Sequence, residues 1–119
     1  MIIDNLNLGI DIVEVKRFQK IPYDKNKKFY NKIFNKSEIN YCLKFKDSYR
    51  HFAGKFAIKE ATKKSLSKKI SFLQIETSHI KNKPVVKIKD NADYSFLVSL
   101  SHEKTMAVAV VLSERSTVK

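Results

Sequence analysis

The chain has 119 residues, 24 of them Lys or Arg against 12 Asp or Glu, for a net charge of +12. At 43% hydrophobic and 11% aromatic, with only two Gly and two Pro, it can fill one core of the size its length supports, which excludes a disordered chain or a fibrous repeat. The lone cysteine, Cys42, excludes an internal disulfide framework, and the longest apolar run, residues 106–112, falls far short of the ~20 residues a membrane span needs.

The N-terminus MIIDNLNLGI lacks the basic flank and small-residue cleavage site of a signal peptide, so a cytoplasmic setting is expected. No repeat, low-complexity tract or linker divides the chain. A single domain over residues 1–119 is expected, with residues 113–119 a frayed tail.

Taken in chain order, Leu6, Leu8, Ile10 and Ile12 alternate with polar positions or glycine, the period of a strand that ends near Asp11. Residues 14–20 read as a short helix carrying Lys16, Arg17 and Lys20 outward and stopped before Pro22. A polar loop over 23–28 leads to a helical piece through Phe29, Ile33 and Phe34. Ser37 and Glu38 then open another helix whose buried side is Ile39, Cys42, Leu43 and Phe45. Asp47 or Ser48 caps the longest helix, about residues 49–66, whose Phe52, Ala53, Phe56, Ala57 and Ala61 recur at spacings of three and four. The second half turns to strands at 70–78, 85–88, 96–100 and 106–112, a meander of antiparallel strands. Helices grouped before strands give an α+β fold in which an antiparallel sheet packs on the long helix.

The charge is concentrated. Residues 15–69 hold 17 basic and 4 acidic side chains, leaving 7 and 8 elsewhere. Such a surface attracts an anionic partner: nucleic acid, an anionic membrane, an acidic protein or a phosphorylated small molecule. General compositional bias is the competing account, since 21 of the 24 basic residues are Lys.

Three residues break the pattern. Asp11 interrupts an apolar stretch, where a carboxylate is costly to bury without a partner. Asp11-Ile12-Val13-Glu14 has the spacing of a capping box, and a metal or catalytic role is the alternative. Glu60 lies on the apolar stripe of the long helix, four residues before Lys64, either as half of a helix-surface ion pair or as a carboxylate that something needs partly sheltered from water. Two carboxylates with no His or Cys cluster suit a hard cation such as Mg²⁺, which binds through one or two carboxylates plus water and substrate phosphate. His102, third of these residues, stands at the presumed end of a strand in Ser99-Leu100-Ser101-His102. Cys42 falls among core positions, and His51 and His79 carry no usable signal.

Gly9-Ile10-Asp11-Ile12-Val13-Glu14-Val15, the run from Phe52 through Lys59-Glu60-Ala61 with Lys64 following, and Ser99-Leu100-Ser101-His102 leading into Ala107-Val108-Ala109-Val110-Val111 together resemble the holo-[acyl-carrier-protein] synthase family. This is the small, single-domain branch of the 4′-phosphopantetheinyl transferases. The resemblance runs in order over about residues 8–114. It implies a 4′-phosphopantetheinyl transferase-like fold and transfer of phosphopantetheine from coenzyme A to a serine of apo acyl carrier protein, in fatty acid biosynthesis. It makes Asp11 and Glu60 the Mg²⁺ ligands and, with Lys64, the catalytic set. It places Lys55, Lys59 and Lys64 at the phosphates of coenzyme A, and Ser101 and His102 near its nucleotide part. It assigns Lys16, Arg17 and Lys20 to docking of the acidic acyl carrier protein, and implies a homotrimer with a site at each subunit interface. Two departures stand out: Ser65-Leu66-Ser67-Lys68-Lys69 where the family has a Gly-rich turn, and Asn82-Lys83-Pro84 where it has Gly-Lys-Pro. On this reading neither membrane nor nucleic acid is a partner. The rival is a small basic nucleic-acid-binding module using interleaved Tyr23, Phe29, Tyr30, Phe34, Tyr41 and Tyr49 without catalysis.

Overall fold

The computed structural model describes residues 4–116. Strand β1 (Leu6–Glu14) leads into a one-turn helix α1 (Lys16–Gln19), then α2 (Lys27–Ile33), α3 (Lys36–Leu43) and the long α4 (Ser48–Ser65). Four strands follow: β2 (Ile75–Ile80), β3 (Lys83–Ile88), β4 (Tyr94–His102) and β5 (Met106–Arg115). β1, β5 and β4 form an antiparallel sheet in that order, and β2 and β3 a separate two-stranded hairpin, so the fold is α+β as expected. The hairpin and the N-terminal strand replace a simple meander.

The long helix lies across the three-stranded sheet. Near its start, a Cβ on Gly54 would stand 3.2 Å from Leu100 of β4; near its end, a Cβ on Gly9 would stand 1.9 Å from the carbonyl oxygen of Ala61. Gly9 is therefore a space requirement: β1 backbone rests directly on the helix. Ser113 of β5 closes the same corner by donating its hydroxyl to Ser65 O at 2.9 Å. Beneath the helix, Val13, Ala107, Ala109 and Val111 are fully buried, small side chains that let helix and sheet approach.

A second part of the core is aromatic. Phe18 of α1, Tyr30 of α2, Phe34 at the C-terminal end of α2 and Phe52 of α4 are buried against one another, and Tyr30 donates its hydroxyl to Ile21 O at 2.6 Å. Burial pushes the Tyr30 phenol up from its ordinary value.

Several boundaries differ from the sequence reading, for physical reasons. β1 continues past Asp11 because pairing with β5 runs on to Glu14 opposite Met106. Asp11 is thus mid-strand and caps nothing; α1 starts only at Lys16, without a side-chain cap, and Lys20 follows its last turn. The helix opened by Ser37 and Glu38 is capped instead by Asn35, whose backbone N–H donates to Glu38 Oε1 at 2.7 Å; Leu43 and Phe45 are exposed there, not buried. Asp47 caps α4 as expected, accepting from Arg50 N. Residues 70–74 form a loop and a 3₁₀ turn (Phe72–Gln74) before β2 begins. The expected frayed tail is strand as far as Arg115, held by pairing to both β1 and β4; residues 117–119 lie outside the described chain. In the β2–β3 turn, Lys81 and Asn82 both take left-handed φ, 52° and 66°, so Asn82 supplies the conformation that a Gly would adopt freely there. No helix among the described residues is long and apolar enough to cross a membrane.

Candidate active site

Two groups of side chains stand at opposite ends of α4. At its C-terminal end, the pleat of β1 turns Gly9, Asp11 and Val13 toward the helix, and the Asp11 side chain is 14% exposed. Lys64 Nζ reaches Asp11 Oδ1 at 3.0 Å and the carbonyl oxygen of Ile10 at 3.0 Å. Glu60, one helical turn before Lys64, is half-buried and has no hydrogen bond or ion pair among the described residues. The expected helix-surface pair between Glu60 and Lys64 is not formed, because Lys64 leaves the helix for the strand. The arrangement leaves one carboxylate unpartnered and the other held by a largely exposed ammonium. Among the described residues, no cluster of three or more His, Cys, Asp or Glu groups surrounds them.

At the N-terminal end lies a cleft of about 420 Å³. All three histidines of the chain, His51, His79 and His102, line it, with Lys55, Tyr41 and Asn82. Lys55 is buried; its ammonium donates to Thr77 Oγ1 at 3.0 Å and lies 4.7 Å from the centre of the Tyr41 ring. Burial lowers its pKa, opposed by the fields of Cys42 and Glu38. Tyr41 stacks on His79 with centroids 4.6 Å apart, and Phe45 stacks on His51 at 3.7 Å. Burial also holds the three imidazoles below their ordinary value, the first neighbouring contribution to each being His102 for His51, Lys55 for His79 and Arg50 for His102.

The sheet register relates the two groups. Asp11, Ala109 and Leu100 form one row across the inner face, and Val13, Ala107 and His102 the next, so His102 sits two strands from β1. Ser101, expected beside His102, points to the opposite face of β4 and is exposed.

Lys59 is a correction. Expected at a phosphate, it is completely buried and its ammonium is fully engaged: with Glu38 Oε1 at 2.7 Å, Ile33 O at 2.8 Å and Phe72 O at 2.9 Å. Glu38 also accepts from Thr77 N at 2.8 Å and Thr77 Oγ1 at 2.5 Å, so Lys59, Glu38, Thr77 and Lys55 form one buried chain binding α3, α4 and β2. Alternating sequence patterns could not reveal Glu38, because its partner lies 21 residues away. His51 and His79 were missed for the same reason: each looks ordinary until the fold brings it to the cleft.

Lys16, Arg17 and Lys20 are exposed around α1, with Arg17 placed 4.9 Å over the Phe56 ring. Of the aromatics a nucleic-acid platform would need, Tyr30 and Phe34 are buried and Tyr23 and Tyr49 half-buried. Cys42 is buried in the core as read, its thiol pushed up to about 12 chiefly by burial.

A family model of the 4′-phosphopantetheinyl transferase superfamily matches residues 7–111. A holo-[acyl-carrier-protein] synthase of Halothermothrix orenii is 42% identical over 119 residues, covering 90% of this chain and 95% of the relative. Among solved structures, a holo-(acyl-carrier-protein) synthase from Bacillus anthracis in complex with CoA (3′,5′-ADP) is 32% identical at a TM-score of 0.79, covering 92% of this chain and 96% of its own. The holo-[acyl-carrier-protein] synthase of Helicobacter pylori in complex with coenzyme A is 33% identical at 0.75, covering 90% and 99%.

Proposed function

The chain belongs to the 4′-phosphopantetheinyl transferase superfamily and is a phosphopantetheinyl transferase, and from that premise we propose that it works as a holo-[acyl-carrier-protein] synthase. Its reaction is attack of a serine hydroxyl of apo acyl carrier protein on the β-phosphate of coenzyme A, giving the phosphopantetheinyl-serine and adenosine 3′,5′-bisphosphate. The observation that carries this reading is the juxtaposition at the end of α4: Asp11 and Lys64 bonded at 3.0 Å with the unpartnered Glu60 one turn away.

Phosphoryl transfer asks of the protein positioning and charge neutralisation more than covalent chemistry. The donor set fits Mg²⁺: two carboxylates, with no cluster of three or more acidic, His or Cys groups among the described residues, suit a hard cation that keeps several waters. Asp11 and Glu60 would hold the ion, which supplies neutralisation of pyrophosphate charge when bound. Lys64, exposed beside Asp11, holds a positive charge where a phosphate oxygen approaches and orients the Asp11 carboxylate. Asp11 or Glu60 accepts the serine proton directly or through water.

The nucleotide part of coenzyme A occupies the cleft, with the Lys55 ammonium and the His102 ring at its wall. Lys16, Arg17 and Lys20 form the docking face for the acidic carrier protein.

The outer sheet face supports assembly. Leu8, Ile10, Ile12 and Leu97 are between 55% and 71% exposed, and the register sets them in rows with Val108, Val110 and Leu112. An apolar strip of this extent marks an interaction surface. Ser101 lies on it, which suits a homotrimer whose site is shared between subunits. The setting is cytoplasmic and the holo carrier protein feeds fatty acid biosynthesis. The test is mass spectrometry of apo acyl carrier protein incubated with the chain, coenzyme A and Mg²⁺: a gain of one phosphopantetheine is expected, and an unchanged mass overturns the reading.

A further inference from the structure

We propose that Arg50 is a positioning residue for the cleft, fixing His102 as the neutral tautomer whose ring hydrogen sits on Nε2, where it is offered to an anionic or hydroxyl oxygen of the bound nucleotide. This rests on the coenzyme A reading above and deepens it. Arg50 Nε donates to His102 Nδ1 at 2.8 Å, and Arg50 Nη2 donates to the backbone oxygen of the same residue at 3.1 Å. One guanidinium thus grips both ring and main chain of a residue 52 positions away. A guanidinium can only donate. The Nδ1 it faces therefore presents a lone pair, and the hydrogen of the neutral ring is on Nε2.

The surroundings keep the grip in place. Arg50 lies in the first turn of α4, its own N–H held by Asp47 Oδ1 at 3.3 Å. Gly54, one turn further, packs beside the ring: a Cβ there would stand in ordinary contact with it, 3.7 Å from His102 Cδ2. His51 meets the ring edge-on with centroids 5.5 Å apart. The charged and titratable groups around His102 are Asp47, Arg50, His51 and Lys55 from α4 and its cap, Tyr41 from α3, His79 from β2, and Glu103 and Lys104 in its own turn. Apart from Asp47 and Glu103 these are basic or neutral. Protonating Nδ1 would bring a second positive charge against the guanidinium and break the bond between them, so the ring serves as a neutral directional donor beside the cationic Lys55.

The test uses the full chain with ¹⁵N-labelled histidine. In the wild type, His102 should show an unprotonated Nδ1 and a protonated Nε2 across the neutral range. Arg50→Gln and Arg50→Lys, the second keeping the charge but losing the fork, should mix the tautomers, and Arg50→Gln, which also removes the charge, should move His102 titration to higher pH. Both should raise KM for coenzyme A about five- to tenfold, the loss of one to two hydrogen bonds, with kcat changed less than about twofold. His102→Gln, whose amide nitrogen can stand in for Nε2–H, should keep a lower KM than His102→Asn. Unchanged tautomer spectra in both Arg50 variants overturn the proposal, as does an altered tautomer with unchanged KM. If the wild type transfers nothing from coenzyme A, the enzymatic reading falls, while the nitrogen spectra still decide the tautomer.

Discussion

Lys64, in the last turn of the long helix, spends its ammonium on Asp11 of the first strand at 3.0 Å and not on Glu60, its neighbour one turn back along the helix. The strand lies within reach because Gly9 lets β1 backbone settle onto Ala61. The consequence is a pair of carboxylates with unequal surroundings, one held by a cation and one open.

Asp11→Ala and Glu60→Ala should each abolish phosphopantetheine transfer, by at least about a hundredfold, while leaving the fold intact, since one carboxylate meets only an exposed lysine and the other has no partner among the described residues. Lys64→Ala should lower transfer less. Mass gain on apo carrier protein, beside circular dichroism of each variant, checks this; a folded Asp11→Ala enzyme with near-normal activity removes these residues from the reaction.

Gly9→Ala should destabilise the chain by about 3 kcal/mol or more, because the added methyl would overlap the Ala61 carbonyl at 1.9 Å and neither backbone has room to retreat. Chemical denaturation measures it. Gly54→Ala, which meets only the movable Leu100 and His102 side chains, should cost less.

Breaking the buried pair should be expensive. Lys59→Met should cost about 3 kcal/mol, and Glu38→Ala more, because the second change strands the Lys59 ammonium and also orphans the Thr77 and Asn35 amides. Urea titration of the two variants gives the comparison, and a Glu38→Ala variant as stable as Lys59→Met would mean those amides find other partners.

The three histidines give stability a pH dependence of definite sign. Their folded-state values lie below the ordinary 6.5, burial being the first cause. As pH falls through 6.5, the unfolded chain takes up protons that the folded cleft resists, so their contribution is complete above that value and is lost on acidification toward the lowered folded values. The melting temperature should fall between about pH 7.5 and pH 5.5, and less steeply in His102→Gln. A profile of equal slope in both proteins would place the titration elsewhere.

Ile10→Asp, in the middle of the exposed apolar strip, should leave the monomer folded and abolish self-association, read as a single small species by light scattering. An unchanged mass in solution would show that this face is not the assembly surface.

The candidate site residues were legible one at a time. The long helix followed from its spacing of Phe and Ala, its Asp47 cap from local rules, and Asp11, Glu60 and His102 from their being out of place in apolar patterns. The local rules then misassigned Asp11 as a cap, because a capping box and a strand interior can share one four-residue pattern, and only pairing with β5 distinguishes them.

By itself the sequence determined what depends on neighbours along the chain: element type, helix register, the basic first half and the motifs of a phosphopantetheinyl transferase. Tertiary structure alone decided what depends on partners far along the chain. It turned the Leu8, Ile10 and Ile12 side of β1 outward and the Asp11 side toward α4, took Lys59 into the core against Glu38, and gathered His51, His79 and His102 around one cleft. Periodicity reports that a strand has two faces or a helix a stripe; which one is covered, and which acid a lysine meets there, is settled by the elements that pack against it.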